Sequence, residues 1–197
     1  MSARGDVTGI VLAGGMGRRM GGVDKGLVEL SGEPMVAHVL RRLLPQVALV
    51  LINANQNHDR YAAFGHRVVA DAVGGFVGPL AGLHAGMTQA TTPLVVTAPC
   101  DSPFLPNDLV ARLADARERA GAQLAVAKTF AQPHPVFALA SCDVLPHLAA
   151  FLTSGGRKID AWYAQLRVVE VPFDDEPDAF RNINTIDELG AATSAGL

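Results

Sequence analysis

The residues with the clearest chemical content lie between Leu12 and Gly26, in the run LAGGMGRRMGGVDKG. Five glycines fall between Gly14 and Gly22, with Arg18, Arg19 and Lys25 interleaved. Glycines let backbone N–H groups approach an oxyanion closely and form a concave nest. The three cations add local positive charge in a chain whose formal net charge is −3. This is chemistry for phosphate. Two familiar phosphate loops are excluded. Gly17 and Gly22 have the spacing of a Walker A loop, but Val23 and Asp24 stand where it needs Lys and Ser or Thr. Gly15 and Gly17 begin a dinucleotide fingerprint, but Met20 stands at its third glycine. The loop specifies phosphate without specifying a nucleotide.

Other polar residues sit where apolar runs end. Asp101 follows Leu94–Ala98 through Pro99 and Cys100. A carboxylate there suits Mg²⁺, a hard cation that takes few carboxylates plus substrate phosphates; the position equally suits an N-cap or turn aspartate. Asp71 follows Val68–Ala70 and is either a ligand contact or a turn residue. Asn53 follows Ile52; its amide can read a base edge, offering both donor and acceptor, or close an Asx-turn. His134 either touches a substrate or shapes the turn Pro133–Pro135. Asn182 and Asn184 flank Ile183, and Thr185 and Glu188 have capping-box spacing. Asp24 either orients Lys25 or faces water. Cys100 lacks the neighbouring His or helix terminus of a thiolate nucleophile and reads as packing. His38, His58, His66, His84 and His147 show no metal spacing.

The elements that must position these residues alternate. Strands are expected at Val7–Ala13, Ala48–Ile52, Arg67–Ala70 and Leu94–Ala98, as near-continuous apolar runs. Helices are expected at Glu33–Leu44, with Pro34 in its first turn, at Leu80–Ala90, and at Pro106–Ala120, stopping at Gly121. The second half is less regular, with strands expected at Leu124–Lys128, Val136–Ala140 and Val168–Val171. Helices are expected there at Asp143–Leu152, at Lys158–Leu166 and from near Thr185. The pattern predicts one domain over 1–197: an α/β, Rossmann-like fold with a mostly parallel central sheet and helices on both faces. In such sheets ligands bind beyond the carboxyl ends of the strands, which selects 13–25, 53–57, 71–79 and 99–103.

Hydrophobic residues make up 49% of the chain and charged residues 18%, enough apolar material for a core and too little charge for disorder. The slightly acidic balance argues against a nucleic-acid partner. The two cysteines, Cys100 and Cys142, fit a reducing compartment. With no apolar leader and no run of the ~20 residues needed to span a bilayer, a cytoplasmic protein is expected.

Taken together, these motifs resemble nucleotidyltransferases that join an NTP to a phosphate-bearing acceptor. Within that group the chain is most similar to the molybdenum cofactor guanylyltransferases. The matching stretches are Leu12–Gly15, Arg19–Gly26, Asn53–Asn55, Gly78–Gly82, Pro99–Pro103, His134–Pro135 and Asn182–Thr185. The resemblance implies a nucleotide-diphospho-sugar transferase-like fold. It also implies transfer of GMP from GTP to molybdopterin or Mo-molybdopterin, with Mg²⁺ as cofactor and pyrophosphate released. By resemblance, Leu12, Ala13, Gly14, Gly15, Lys25, Asn53, Asp71 and Asp101 contact the nucleotide. Arg19, Lys25 and Asp101 are catalytic, with Asp101 the metal ligand. Gly78, Pro79, Gly82 and His134 face the acceptor, and Asn182 and Asn184 contact the acceptor or the loop beside it. A monomer is expected, in transient contact with cofactor-assembly proteins or recipient molybdoenzymes. The rivals are a cytidylyl enzyme of the same pathway, a sugar-phosphate nucleotidyltransferase, and a nucleotide-binding module without catalysis. Leu12-Ala-Gly-Gly15, where the cytidylyl relatives show LAAG, weighs against the first; intact Arg19, Lys25 and Asp101 weigh against the last.

Overall fold

The computed structural model describes residues 3–13, 24–71 and 78–183. Among them the strands are β1 (Val7–Leu12), β2 (Glu29–Leu30), β3 (Glu33–Pro34), β4 (Leu49–Asn53), β5 (Arg67–Val69), β6 (Leu94–Pro99), β7 (Leu124–Thr129), β8 (Gln132–Ser141) and β9 (Val168–Pro172). The α-helices are α1 (Met35–Leu43), α2 (His58–Ala62), α3 (Pro79–Gln89), α4 (Leu109–Ala120), α5 (Leu145–Thr153) and α6 (Ile159–Tyr163). Seven strands form one sheet in the order β5-β4-β1-β6-β8-β7-β9, while β2 and β3 pair in a small hairpin of their own. β1 pairs in parallel with β4 on one side and β6 on the other, so the strand order reverses at β1. That reversal is the switch point at which open α/β sheets bind ligands.

Both faces of the sheet are covered, as the unbroken apolar strands require. Successive residues of β1 point to opposite sides. Val7 and Val11 join Val36, Val39, Leu40 and Leu43 of α1 and Leu109, Val110 and Leu113 of α4. Ile10 joins Leu80, Leu83 and Met87 of α3, Leu148 and Leu152 of α5, and Trp162 of α6. Each fully buried aliphatic side chain of this kind stabilises the fold by about 1.5–3 kcal/mol relative to exposure.

Several boundaries differ from the sequence reading, each for a local reason. The helix expected from Glu33 starts at Met35, because Glu33 and Pro34 pair with Leu30 and Glu29. Pro34 is therefore the N-cap, with extended ψ, rather than a first-turn residue. The helix expected from Pro106 begins at Leu109 and ends at Gly121 as anticipated. The last two long helices are broken up: Cys142–Val144 is a 3-10 turn before α5, and α6 spans only Ile159–Tyr163. The strand expected at Val136–Ala140 extends over Gln132–Ser141 and is antiparallel to both its neighbours, β6 and β7. Only Phe130 and Ala131 connect β7 to β8; a link that short makes a hairpin, and parallel strands need a crossover of a dozen or more residues. The helix expected from Thr185 lies outside the described residues.

Candidate active site

The carboxyl ends of the parallel strands align at one edge. Leu12 is in register with Asn53 of β4 and Pro99 of β6. The ladder continues one residue beyond: Ala13 N donates to Asn53 O at 2.7 Å, Cys100 N to Leu12 O at 3.0 Å, and Ala54 N to Val69 O at 3.0 Å. Ala13, Asn53 and Asp101 thus leave the same edge of the sheet. Of the residues selected from the sequence, Gly14, Gly15, Arg18, Arg19 and Asn184 lie outside the described residues.

Lys25 returns to this edge at the start of a one-turn 3-10 helix, Lys25–Leu27. Its Nζ lies 3.2 Å from Asp101 Oδ2, and the side chains are 21% and 11% exposed. The pair is sheltered enough for electrostatics to be stronger than in bulk water, yet open to an incoming anion. Gly26 is needed for the approach. A Cβ there would lie 2.6 Å from the Tyr61 hydroxyl and 3.0 Å from Cys100 Cβ and Sγ. Cys100 is buried, and burial together with the Asp101 charge pushes its thiol far above the usual range, which fits packing rather than nucleophilic chemistry.

A second cluster forms where β4 and β5 end. Asn53 Nδ2 donates to Asp71 Oδ1 at 2.9 Å and to Val69 O at 3.2 Å. Asn55 closes the far side: its Nδ2 donates to Asp71 Oδ2 at 2.8 Å, and its Oδ1 accepts from Asp71 N at 2.9 Å. Both carboxylate oxygens of Asp71 are therefore fixed by amides. α3 covers this cluster, with Gly78 as its N-cap and Pro79 as its first residue. Gly82 is buried, and a Cβ on it would collide with Asn53 Oδ1 and lie 2.6 Å from Leu12 Cδ2. Its place in the fold is to let α3 settle on the ends of β1 and β4.

On the other side of Asp101 the chain's late segment returns. Ile183 N donates to Asp101 O at 2.9 Å, and Ser102 Oγ donates to Asn182 Oδ1 at 2.6 Å. Ile183 is buried with Leu30 and Met35, which fastens the segment to the small hairpin. Asn182 therefore meets the loop beside Asp101. His134 stands within β8, not in a turn. It pairs with Thr129 Oγ1 at 2.7 Å and stacks on Phe180 with ring centroids 4.6 Å apart. Burial lowers its pKa, favouring the neutral ring.

Asp24 does not face water alone. Tyr61 OH donates to its Oδ1 at 2.5 Å and Asn57 Nδ2 to its Oδ2 at 2.9 Å. Tyr61, Asn57, Asn55 and Ser102 are the site's neighbours that the sequence reading gave no role. Asn55 had a signal, standing two residues beyond Asn53 on the same side of the chain. Tyr61 had none, because α2 has only five residues and shows no period.

The residues present fit a Mg²⁺ ion. Asp101 offers a hard carboxylate whose Oδ2 meets Lys25 and whose Oδ1 has no protein partner among the described residues. No group of three or more His, Cys, Asp or Glu among the described residues is arranged to hold a metal. Mg²⁺ is commonly held this way, by one or two carboxylates with phosphate and water oxygens completing its shell.

A doubly wound sheet with a lysine and an aspartate paired beyond its switch point defines an open α/β protein with a ligand site at the carboxyl ends of its strands. The comparisons make this specific: the chain belongs to the family of MobA-like NTP transferase domains, whose model matches residues 9–169. The molybdenum cofactor guanylyltransferase of Cupriavidus taiwanensis is 56% identical over 196 residues, covering 97% of this chain and 98% of its own. That of Shewanella amazonensis is 47% identical over 195 residues, covering 99% and 98%. Among solved structures, molybdopterin-guanine dinucleotide biosynthesis protein A from Archaeoglobus fulgidus matches with a TM-score of 0.81 at 28% identity, over 95% of this chain and 97% of that one. CMP:2-keto-3-deoxy-manno-octonic acid synthetase, solved with CTP, shares the fold, with a TM-score of 0.70 at 14% identity over 98% of both chains.

Proposed function

We propose that the chain transfers GMP from GTP to the phosphate of molybdopterin, forming the guanine dinucleotide and releasing pyrophosphate. The observation that carries the chemistry is the Lys25–Asp101 pair at the switch point of the sheet. The relatives at 47–56% identity, named molybdenum cofactor guanylyltransferases, supply the nucleotide and the acceptor.

In this reading the acceptor phosphate attacks the α-phosphorus of GTP in line, and the bond to the leaving pyrophosphate breaks. The acceptor oxygen is already ionised near neutral pH, so no general base is required. Positioning and charge stabilisation suffice for phosphoryl-type transfer. Lys25 sits where negative charge grows on the phosphates and stabilises it. Backbone N–H groups from Leu12 onward hold the nucleotide, and Asn53 and the clamped Asp71 carboxylate present fixed acceptors to its nucleoside portion. Asp101 would hold Mg²⁺, which supplies neutralisation of phosphate charge when bound. The acceptor would lie on the side of Asp101 bounded by Asn182 and His134. We place the reaction in the cytoplasm, with a monomeric enzyme. No helix among the described residues is long and apolar enough to cross a membrane.

The test is pyrophosphate release from each of four NTPs, with and without molybdopterin, in Mg²⁺. GTP should be preferred over ATP and CTP by about tenfold or more in kcat/KM, on the order of 1.4 kcal/mol. Release should require molybdopterin. A preference for CTP, or no release with any NTP, overturns the reading.

A further inference from the structure

Asp24 immediately precedes Lys25, and residues of or next to α2 hold both of its carboxylate oxygens, Tyr61 at 2.5 Å and Asn57 at 2.9 Å. Tyr61 is fully buried. Burying a hydroxyl and drawing a carboxylate onto it costs desolvation of both groups. A phenylalanine would fill the same space without that cost, so packing alone explains the ring but not the hydroxyl. Burial drives the phenol's pKa far above its usual value, so the hydroxyl keeps its proton and remains a donor. Asn57 has a left-handed backbone, φ 53°, the conformation in which it hands its amide to Asp24.

The turn that follows Asp24 rests on the same phenol. Leu27 N donates to Asp24 O at 3.0 Å, which closes the turn over Lys25 and Gly26. The absent Cβ of Gly26 leaves the space in which the turn meets the Tyr61 hydroxyl and Cys100. Cys100 is bonded through the chain to Asp101. One hydroxyl thus touches both the residue before Lys25 and the residue after it, and the far side of that contact is the residue before Asp101.

We propose that Tyr61 is a positioning residue of the transfer reaction. Its hydroxyl holds Asp24 and the turn behind it, and through that turn holds the Lys25 ammonium against Asp101. This rests on the reading of Lys25 and Asp101 as groups that act on the nucleotide phosphates.

Tyr61→Phe removes the hydroxyl and keeps the ring. It should be made in the parent chain and in Lys25→Ala. GMP transfer kinetics, GTP affinity in Mg²⁺ and thermal midpoint should be measured on each preparation, with kinetics taken well below the midpoint. In the parent chain Tyr61→Phe should lower kcat/KM about tenfold or more, chiefly through kcat. In Lys25→Ala the same substitution should change it by less than about twofold, because the group that Tyr61 positions is gone. Equal losses in both backgrounds would mean a structural role and overturn the inference, as would parent-like kinetics in folded Tyr61→Phe. Asn57→Gly tests the same linkage from an exposed position and suits the left-handed backbone; it should give a smaller loss that also vanishes in Lys25→Ala. If Tyr61→Phe does not fold, parent-like kinetics in Asn57→Gly overturn the inference. Parent-like kinetics and GTP affinity in Lys25→Ala would overturn the reading of Lys25 and the inference with it, a result distinct from failure of Tyr61 alone.

Discussion

Lys25 Nζ and Asp101 Oδ2 meet at 3.2 Å although 76 positions separate the two residues in the chain. One comes from the turn that ends the glycine loop, the other from the end of β6. Parallel pairing of β1 with β6 puts both chain segments on one edge, and the turn over Gly26 brings Lys25 back to it. The pair joins opposite charges, so each group holds the other in place at the edge of the sheet.

Asp101→Ala should abolish GMP transfer, with a loss of roughly 10³-fold or more, while the chain still folds. Asp101's structural contact to the late segment is through its backbone carbonyl, which the substitution keeps. The change in stability should stay within about 2 kcal/mol. Thermal midpoint and transfer rate on one preparation check this. Near-parent turnover in Mg²⁺ would remove Asp101 from the chemistry.

Gly82→Ala should weaken GTP binding by displacing the side chains packed beneath α3. The added methyl would collide with Asn53 Oδ1 and crowd Leu12. Inserting a methyl into a packed site typically costs about 1–3 kcal/mol. Here the side chain pushed aside is the one that holds Asp71. Titration calorimetry with GTP should show lower affinity together with a lower thermal midpoint. A lower midpoint with unchanged affinity would separate the α3 contact from nucleotide binding.

The conditions that made the site's residues legible were local. An apolar run that ends in a loop of glycines and cations marks a strand end, and Asp101, Asn53 and Asp71 each close an apolar run. What was not legible depends on contacts between distant segments or on elements too short to have a period. The hairpin of β2 and β3 has two residues in each strand, with left-handed Ser31 (φ 53°) and Gly32 (φ 85°) at its turn. The Ser-Gly pair is a turn signal, but the apolar face of α1 drew the expected helix back through Pro34 to Glu33. The direction of β8 follows from the length of the connection to β7. The Asp24–Tyr61 contact spans 37 positions, and Tyr61 lies in no motif.

Stability should fall as pH is lowered from about 7 towards 5, in part through His134. Burial lowers its folded pKa below the ordinary 6.5. Between the folded and unfolded values the unfolded chain binds more protons, so stability rises with pH in that window. The contribution is present above about 6.5 and is lost as pH falls through the folded value. His66 shifts in the same direction, also by burial. Urea midpoints at several pH values should fall on acidification in the parent chain, and less so in His134→Gln. Identical pH profiles would exclude His134 as a source of the slope.

Lys25→Ala should impair the chemical step more than it impairs folding. The ammonium is partly exposed and meets the similarly sheltered Asp101 carboxylate. Partly exposed ion pairs contribute little to stability, about 0–1 kcal/mol, so the thermal midpoint should move by only a few degrees. In the proposed reaction the charge nevertheless stands where negative charge develops on the departing phosphates. A fixed cation there acts more on the transition state than on the ground state, so its removal should lower kcat/KM by roughly 10²-fold or more. The loss should appear in kcat as well as in KM, because uniform ground-state binding alone would raise KM and leave kcat unchanged. Lys25→Arg keeps the charge but changes the shape and reach of the donor, and should recover only part of the rate. Steady-state transfer and thermal midpoint measured on one preparation separate the two roles. Kinetics unchanged from the parent chain, or a loss that only follows unfolding, would leave Lys25 as a surface cation paired with Asp101 and no more.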